Sequence, residues 1–145
     1  MFGDIIQKNI QWLWKGVAMD YVIQLDEENK IVSVVAKGEW NSDTDNTMIY
    51  QILEMVDVTG VQKVLLDISG LQFKLPIFRI FERAKEMRAE RQKFNKTSAK
   101  AAIIYSSEDQ KLDEDMIFFE TASRNRGLPY QVFKDKEAAL AWLLS

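Results

Sequence analysis

Apolar positions recur along this chain with two periods, one matching the helical turn and the other the alternation or apolar runs of strands. At about 100° per residue, Phe2, Ile6, Ile10, Leu13 and Val17 fall on one face. Asp4, Gln7, Lys8, Gln11 and Lys15 lie opposite, which predicts an amphipathic helix over residues 1–18, edged by Trp12 and Trp14. Two β-branched runs, 21–25 and 31–37, flank the polar stretch 26–30 and predict a β-hairpin. The stretch 41–46 then turns to helix-cap chemistry, with Ser42 and Asp45 in the spacing of a capping box. Met48, Ile52, Leu53 and Val56 recur at helical spacing, and Gly60 predicts the stop.

Residues 64–68 are apolar on both faces except at Asp67, the pattern of a central strand covered from both sides. Ser69-Gly70 reads as the turn that leaves it, and Pro76 suits the first turn of a helix whose stripe is Ile80, Phe81, Ala84, Met87 and Phe94. A strand at 101–105 follows, then a helix with Leu112, Met116, Phe119 and Ala122 inward, ending at Gly127. Residues 130–133 form the last strand, and Asp135 caps a closing helix. After the hairpin, helix and strand alternate, which implies right-handed crossovers and a mostly parallel sheet with an antiparallel edge. The expectation is an α/β domain over 19–145 with a mixed sheet of about five strands, about four helices mainly on one face, and an extra N-terminal helix over 1–18.

Composition narrows the chemistry. The 145 residues contain neither cysteine nor histidine, which excludes Cys/His zinc sites, cysteine nucleophiles, Ser-His-Asp triads and disulfides. The net charge of −3 is unevenly spread: residues 79–100 hold eight Lys or Arg against three Glu, while acidic runs at 26–28 and 113–115 lie elsewhere. No apolar run approaches the ~20 residues of a membrane span, and the N-terminal stretch lacks the unbroken apolar core of a signal peptide. A cytoplasmic protein without stable membrane insertion is expected.

The order of elements, the strand motif KVLLDISGLQF at 63–73 and the ending NRGLPYQVFKDKEAALAWLL at 125–144 resemble the STAS superfamily (sulfate transporter and anti-sigma-factor antagonist). The resemblance is nearest to its SpoIIAA-like members, also described as STAS/SEC14-like, and covers about residues 19–145. It implies a non-enzymatic regulatory or protein-interaction module of the bacterial cytoplasm. In the family's anti-sigma-factor antagonists a phosphorylatable serine stands in an Asp-Ser-Ser-Gly motif after this strand. Aligned on Phe73, Leu75 and Pro76 occupy the places of that Asp and serine, so the resemblance does not carry the phospho-serine switch to this chain. The likeness of such proteins to SEC14 implies an alternative, a carrier or sensor of a lipid or other small apolar or anionic ligand, with Phe73, Phe78, Phe81, Phe118 and Phe119 as lining.

Candidate binding residues follow from these readings: Ser69, Gly70, Lys74, Pro76, Arg79 and Arg83. Ser69 as a nucleophile would need Lys74, Asp67 or a distant group as base, and a structural serine in a turn is the simpler reading. Asp67 would then orient the chain beyond it by accepting backbone amides. The basic face made by Arg79, Arg83, Lys85, Arg88, Arg91 and Lys93 would suit an acidic partner, but interleaved glutamates mark a solvated helix. Without stacking aromatics or a glycine-rich phosphate loop, nucleic acid is not expected. Asp43, Asp45 and Glu54 have the outline of a calcium loop, yet Met48 stands where that loop needs glycine, and helix capping accounts for the acids. No metal or cofactor is expected. The N-terminal stripe, through Ile6, Ile10, Leu13 and Trp14, is the expected contact of a homodimer.

Overall fold

The computed structural model describes residues 18–73 and 99–145. The N-terminal stretch with Ile6, Ile10, Leu13 and Trp14, and the stretch carrying Lys74, Pro76, Arg79 and Arg83, lie outside the described residues. So do Phe78 and Phe81.

Strand β1 (Asp20–Asp26) and strand β2 (Ile31–Glu39) form the expected hairpin, paired from Asp20↔Lys37 to Asp26↔Ile31. Its turn is held by the Asp26 carboxylate, which accepts from the Asn29 backbone N–H at 3.1 Å and its side-chain amide at 3.0 Å. Lys30 closes the turn at φ 58°, a left-handed conformation that costs a non-glycine residue energy. Helix α1 (Ser42–Thr59) follows, capped by Asn41, whose side chain accepts from Thr44 N–H at 2.9 Å. The cap is therefore one residue earlier than the Ser42 box predicts, because Asn41 is still extended (φ −133°) while Ser42 is already helical. Gly60, at φ 75°, ends the helix as expected and bonds back to Val56 O.

Strand β3 (Lys63–Gln72) runs four residues further than predicted. Strand β4 (Lys100–Ile104), helix α2 (Gln110–Asn125), strand β5 (Tyr130–Phe133) and helix α3 (Lys136–Leu144) complete the described elements. Asp135 caps α3 as predicted, accepting from the N–H groups of Glu137 and Ala138.

The five strands lie in sequence order, β1-β2-β3-β4-β5, antiparallel between β1 and β2 and parallel thereafter. Strand order advancing in one direction, with right-handed crossovers, places successive crossover helices on the same face. Accordingly α1 and α2 share one core with the sheet: Met48, Ile52, Leu53 and Val56 of α1 and Met116, Phe119 and Ala122 of α2 join Val32, Val34, Leu66 and Ile103. Helix α3 follows the last strand and covers the other face, where Ala139 and Leu143 pack on Ile31, Leu65, Ala102 and Ile104. The described helices thus make three layers, two helices on one side and one on the other. Burying a side chain such as Leu143 completely contributes about 1.5–3 kcal/mol. At the end of α3, the Lys100 ammonium donates to Trp142 C=O at 3.0 Å and sits 4.4 Å from the centre of its ring. A cation at a helix C-terminus is favoured by the helix dipole. Among the described residues no helix is long and apolar enough to cross a membrane.

Candidate functional site

In parallel α/β sheets the carboxyl ends of the strands collect the loops that bind ligands and partners. Here that end is built from the last residues of β2 and β3 and from the segments that follow β4 and β5.

The end of β3 carries Ser69 and Gly70, which lie within the strand and not in a turn leaving it. Pairing with β2 passes from Val35↔Asp67 to Lys37↔Gly70, so β3 advances three residues while β2 advances two. The extra residue makes a β-bulge, the feature that a glycine inside a strand pattern often marks. Beyond the bulge, Leu71 and Phe73 pack against the larger core, and this continued burial is why the strand does not stop at Ile68. Asp67 Oδ1 holds the bulge, accepting from Ser69 N–H at 2.9 Å and from Ser69 Oγ at 2.6 Å. Asp67 thus bonds the backbone just beyond it, the role its position implied. Gly70 is favoured by proximity: a Cβ there would stand 3.0 Å from Lys37 Cγ and 3.3 Å from Ala36 O, both tight contacts. The Lys37 stem therefore lies against the bulge.

A second cluster stands where β4 and β5 end. Tyr105, buried just past β4, donates its phenolic O–H to Asp113 Oδ1 at 3.0 Å. The Lys134 ammonium, just past β5, lies 2.9 Å from the Asp113 carboxylate and 5.7 Å from the centre of the Tyr105 ring. Burial, reinforced by the bond to Asp113, pushes the Tyr105 phenol up to about 12. The hydrogen bond from Lys134 holds the Asp113 carboxyl below its ordinary value. Asp109 caps α2 through Lys111 N–H, and Ser107 Oγ donates to Asp109 C=O, so Ser107 and Asp109 tie the loop after β4 to the start of α2. None of Tyr105, Asp113 and Lys134 is singled out by sequence reasoning. Their one readable signal is that Tyr105 and Lys134 each stand at the carboxyl end of a predicted strand.

Of the five phenylalanines expected to line an apolar pocket, Phe73, Phe118 and Phe119 lie among the described residues. Phe119 is buried in the core whereas its neighbour Phe118 is 40% exposed, because adjacent helical residues point about 100° apart. The two point to different sides of α2. Phe73 packs on the same core as Phe119. An apolar cavity between α1 and the sheet, bounded by Ile49, Leu53, Val64, Leu66 and Ile103, measures about 40 Å³.

No protein-family model and no curated protein matches this chain. Solved structures do. An anti-sigma factor antagonist from Mycobacterium paratuberculosis superposes with a TM-score of 0.58 at 12% identity, covering 88% of this chain and 96% of that one. A DUF3478 family protein of SpoIIAA-like fold from Shewanella loihica gives a TM-score of 0.53 at 19% identity, covering 87% and 94%. The five-stranded mixed sheet in sequential order, with helices on both faces of the described part, is a SpoIIAA-like fold.

Proposed function

We propose that this protein is a non-enzymatic regulatory module that binds a partner protein through the end of β3 and the residues after it: Ser69, Gly70, Lys74, Pro76, Arg79 and Arg83. The likeness to an anti-sigma factor antagonist, over nearly the whole of both chains, carries the reading. The chemistry of the bulge supports it. Ser69 is engaged by Asp67, and the bulge displays backbone and the Lys37 stem, features suited to recognition. In this reading no phosphorylation switch operates at residues 75–76, where Leu75 and Pro76 offer no hydroxyl. The setting is the bacterial cytoplasm.

The test is cross-linking mass spectrometry of the full chain with the proteins it retains from a bacterial host, repeated with Arg79→Glu plus Arg83→Glu. The reading expects one stoichiometric partner, cross-links concentrated at residues 69–83, and loss of that partner in the charge-reversed variant with an unchanged thermal midpoint. Cross-links concentrated elsewhere would refute the site. Native mass spectrometry showing a stoichiometric lipid in place of a protein partner would replace the module by the carrier alternative.

A further inference from the structure

The two edges of the sheet are finished differently. Along β5, Val132 N–H donates to Glu120 Oε2 at 2.7 Å and Tyr130 C=O accepts from Arg124 Nε at 3.3 Å, while Tyr130 N–H bonds Leu128 C=O. Side chains of α2 thus occupy the backbone groups that this edge turns away from β4. Covering an edge in this way stops it from pairing with another strand.

Among the described residues, strand β1, at the opposite edge, has no such cover. Tyr21 N–H bonds the Asp20 carboxylate at 2.9 Å, which places this amide on the outer edge. In an antiparallel pair the outward groups recur at every second residue, so Ile23 and Leu25 also turn their N–H and C=O away from β2. No bond to these outward groups of Ile23 and Leu25 comes from the described residues. The strand is seven residues long, contains no proline or lysine, and carries charge only at its two ends, Asp20 and Asp26. On the side away from the larger core, Val22 is 53% exposed between Asp20 and Gln24.

We propose that a second copy of this chain pairs on this edge, β1 antiparallel to β1 about a two-fold axis at Val22, joining the two sheets into one of ten strands. The axis follows from the side chains. Centred on Val22, the pairing sets Val22 against its equivalent, Tyr21 of each copy against Ile23 of the other, and Asp20 against Gln24. The outward groups of Tyr21 and Ile23 then bond each other, and the exposed valines cover one another. Centred on Ile23 instead, Asp20 would face Asp26 twice, and like charges directly opposed are destabilising. The contact is isologous and closes on itself, so it yields a dimer and not a fibre.

The absence of cysteine makes the test clean. Opposed residues of a non-hydrogen-bonded pair have Cβ atoms about 4.5–5.5 Å apart, near disulfide reach. Full-length Val22→Cys should oxidise to a covalent dimer, while Gln24→Cys, whose equivalents lie on opposite sides of the axis, should not. Light scattering should give twice 16.8 kDa for the native chain and 16.8 kDa for Val22→Glu, with an unchanged thermal midpoint. A native monomer across the concentration range would overturn the proposal. So would a dimer that survives Val22→Glu but dissociates in Ile10→Asp plus Leu13→Asp, since that places the contact on the N-terminal stripe. Equal cross-linking of the two cysteine variants would also refute the register. The proposal rests on the β1 edge alone, and its outcome is independent of partner binding at residues 69–83.

Discussion

Replacing Tyr105 by phenylalanine removes one oxygen and should leave a signature in the pH dependence of stability. At neutral pH the change deletes the bond from the phenol to Asp113, a bond to a charged acceptor. Such bonds contribute about 1.5–3 kcal/mol, and because Asp113 keeps Lys134 as a partner the lower figure applies. Tyr105→Phe should therefore be less stable than the native protein by about 1–1.5 kcal/mol at pH 8. At alkaline pH the sign turns. The phenol titrates near 10 in the unfolded chain and near 12 in the folded one, so between these values the unfolded chain has lost a proton that the folded one retains. Folding stability then falls with rising pH, by up to about 1.4 kcal/mol per unit. The stabilisation from the neutral phenol is complete below pH 10 and gone above pH 12. The phenylalanine variant has no such group, so the two profiles should converge above pH 10 and cross near pH 11. Guanidinium unfolding at half-unit steps from pH 8 to 11.5 measures this. Parallel profiles would show that Tyr105 titrates alike in both states and would refute the argument from burial.

Lys100→Met keeps the apolar stem but removes the ammonium from Trp142 C=O and its ring; it should cost about 1–2 kcal/mol in denaturant unfolding, with hydrogen exchange rising first at the end of α3. Gly70→Ala should cost about 1 kcal/mol or more because its Cβ meets Lys37 Cγ and Ala36 O, and Lys37→Ala in the same chain should restore only part of this, since the carbonyl remains. Asn41→Ala and Asp135→Ala should each lose about 1 kcal/mol as caps, whereas Ser42→Ala should lose much less, a contrast that thermal melts would resolve.

Most of the fold was legible because its signals are local. The hairpin, the stop at Gly60, the cap at Asp135 and the inward faces of α1 and α2 each depend on residues within a few positions of one another. The mostly parallel sheet with an antiparallel edge then follows from alternation and crossover handedness, whereas strand order and the helix on the second face depend on which edge each strand joins. Ser42 misled because both it and Asn41 are good caps, and backbone dihedrals choose between them. The end of β3 misled for a different reason. A bulge shifts the side-chain alternation by one, so Leu71 and Phe73 lie on the core face although a regular strand from Val64 would place them on the opposite one. Ser69-Gly70 then has the composition of a turn while its pairing is that of a strand. The Tyr105, Asp113 and Lys134 cluster was invisible because it joins residues eight and twenty-one positions apart. It exists only once β4 and β5 are in register and α2 begins beside them.

The two hydroxyls at this end of the sheet bear on what the site can do. A serine attacks only if a base takes its proton, and the group receiving the Ser69 proton is a carboxylate that also holds the backbone of the bulge. Moving that proton onto Asp67 would weaken the bond to Ser69 N–H. Tyr105 keeps its proton until far above neutrality, so it can donate a hydrogen bond at pH 7 but cannot serve as a base. Both groups hold structure: one fixes the path of β3, the other ties the ends of β4 and β5 to the first turn of α2. In the proposed reading, recognition at this end of the sheet rests on shape and charge, the properties by which protein surfaces select partners.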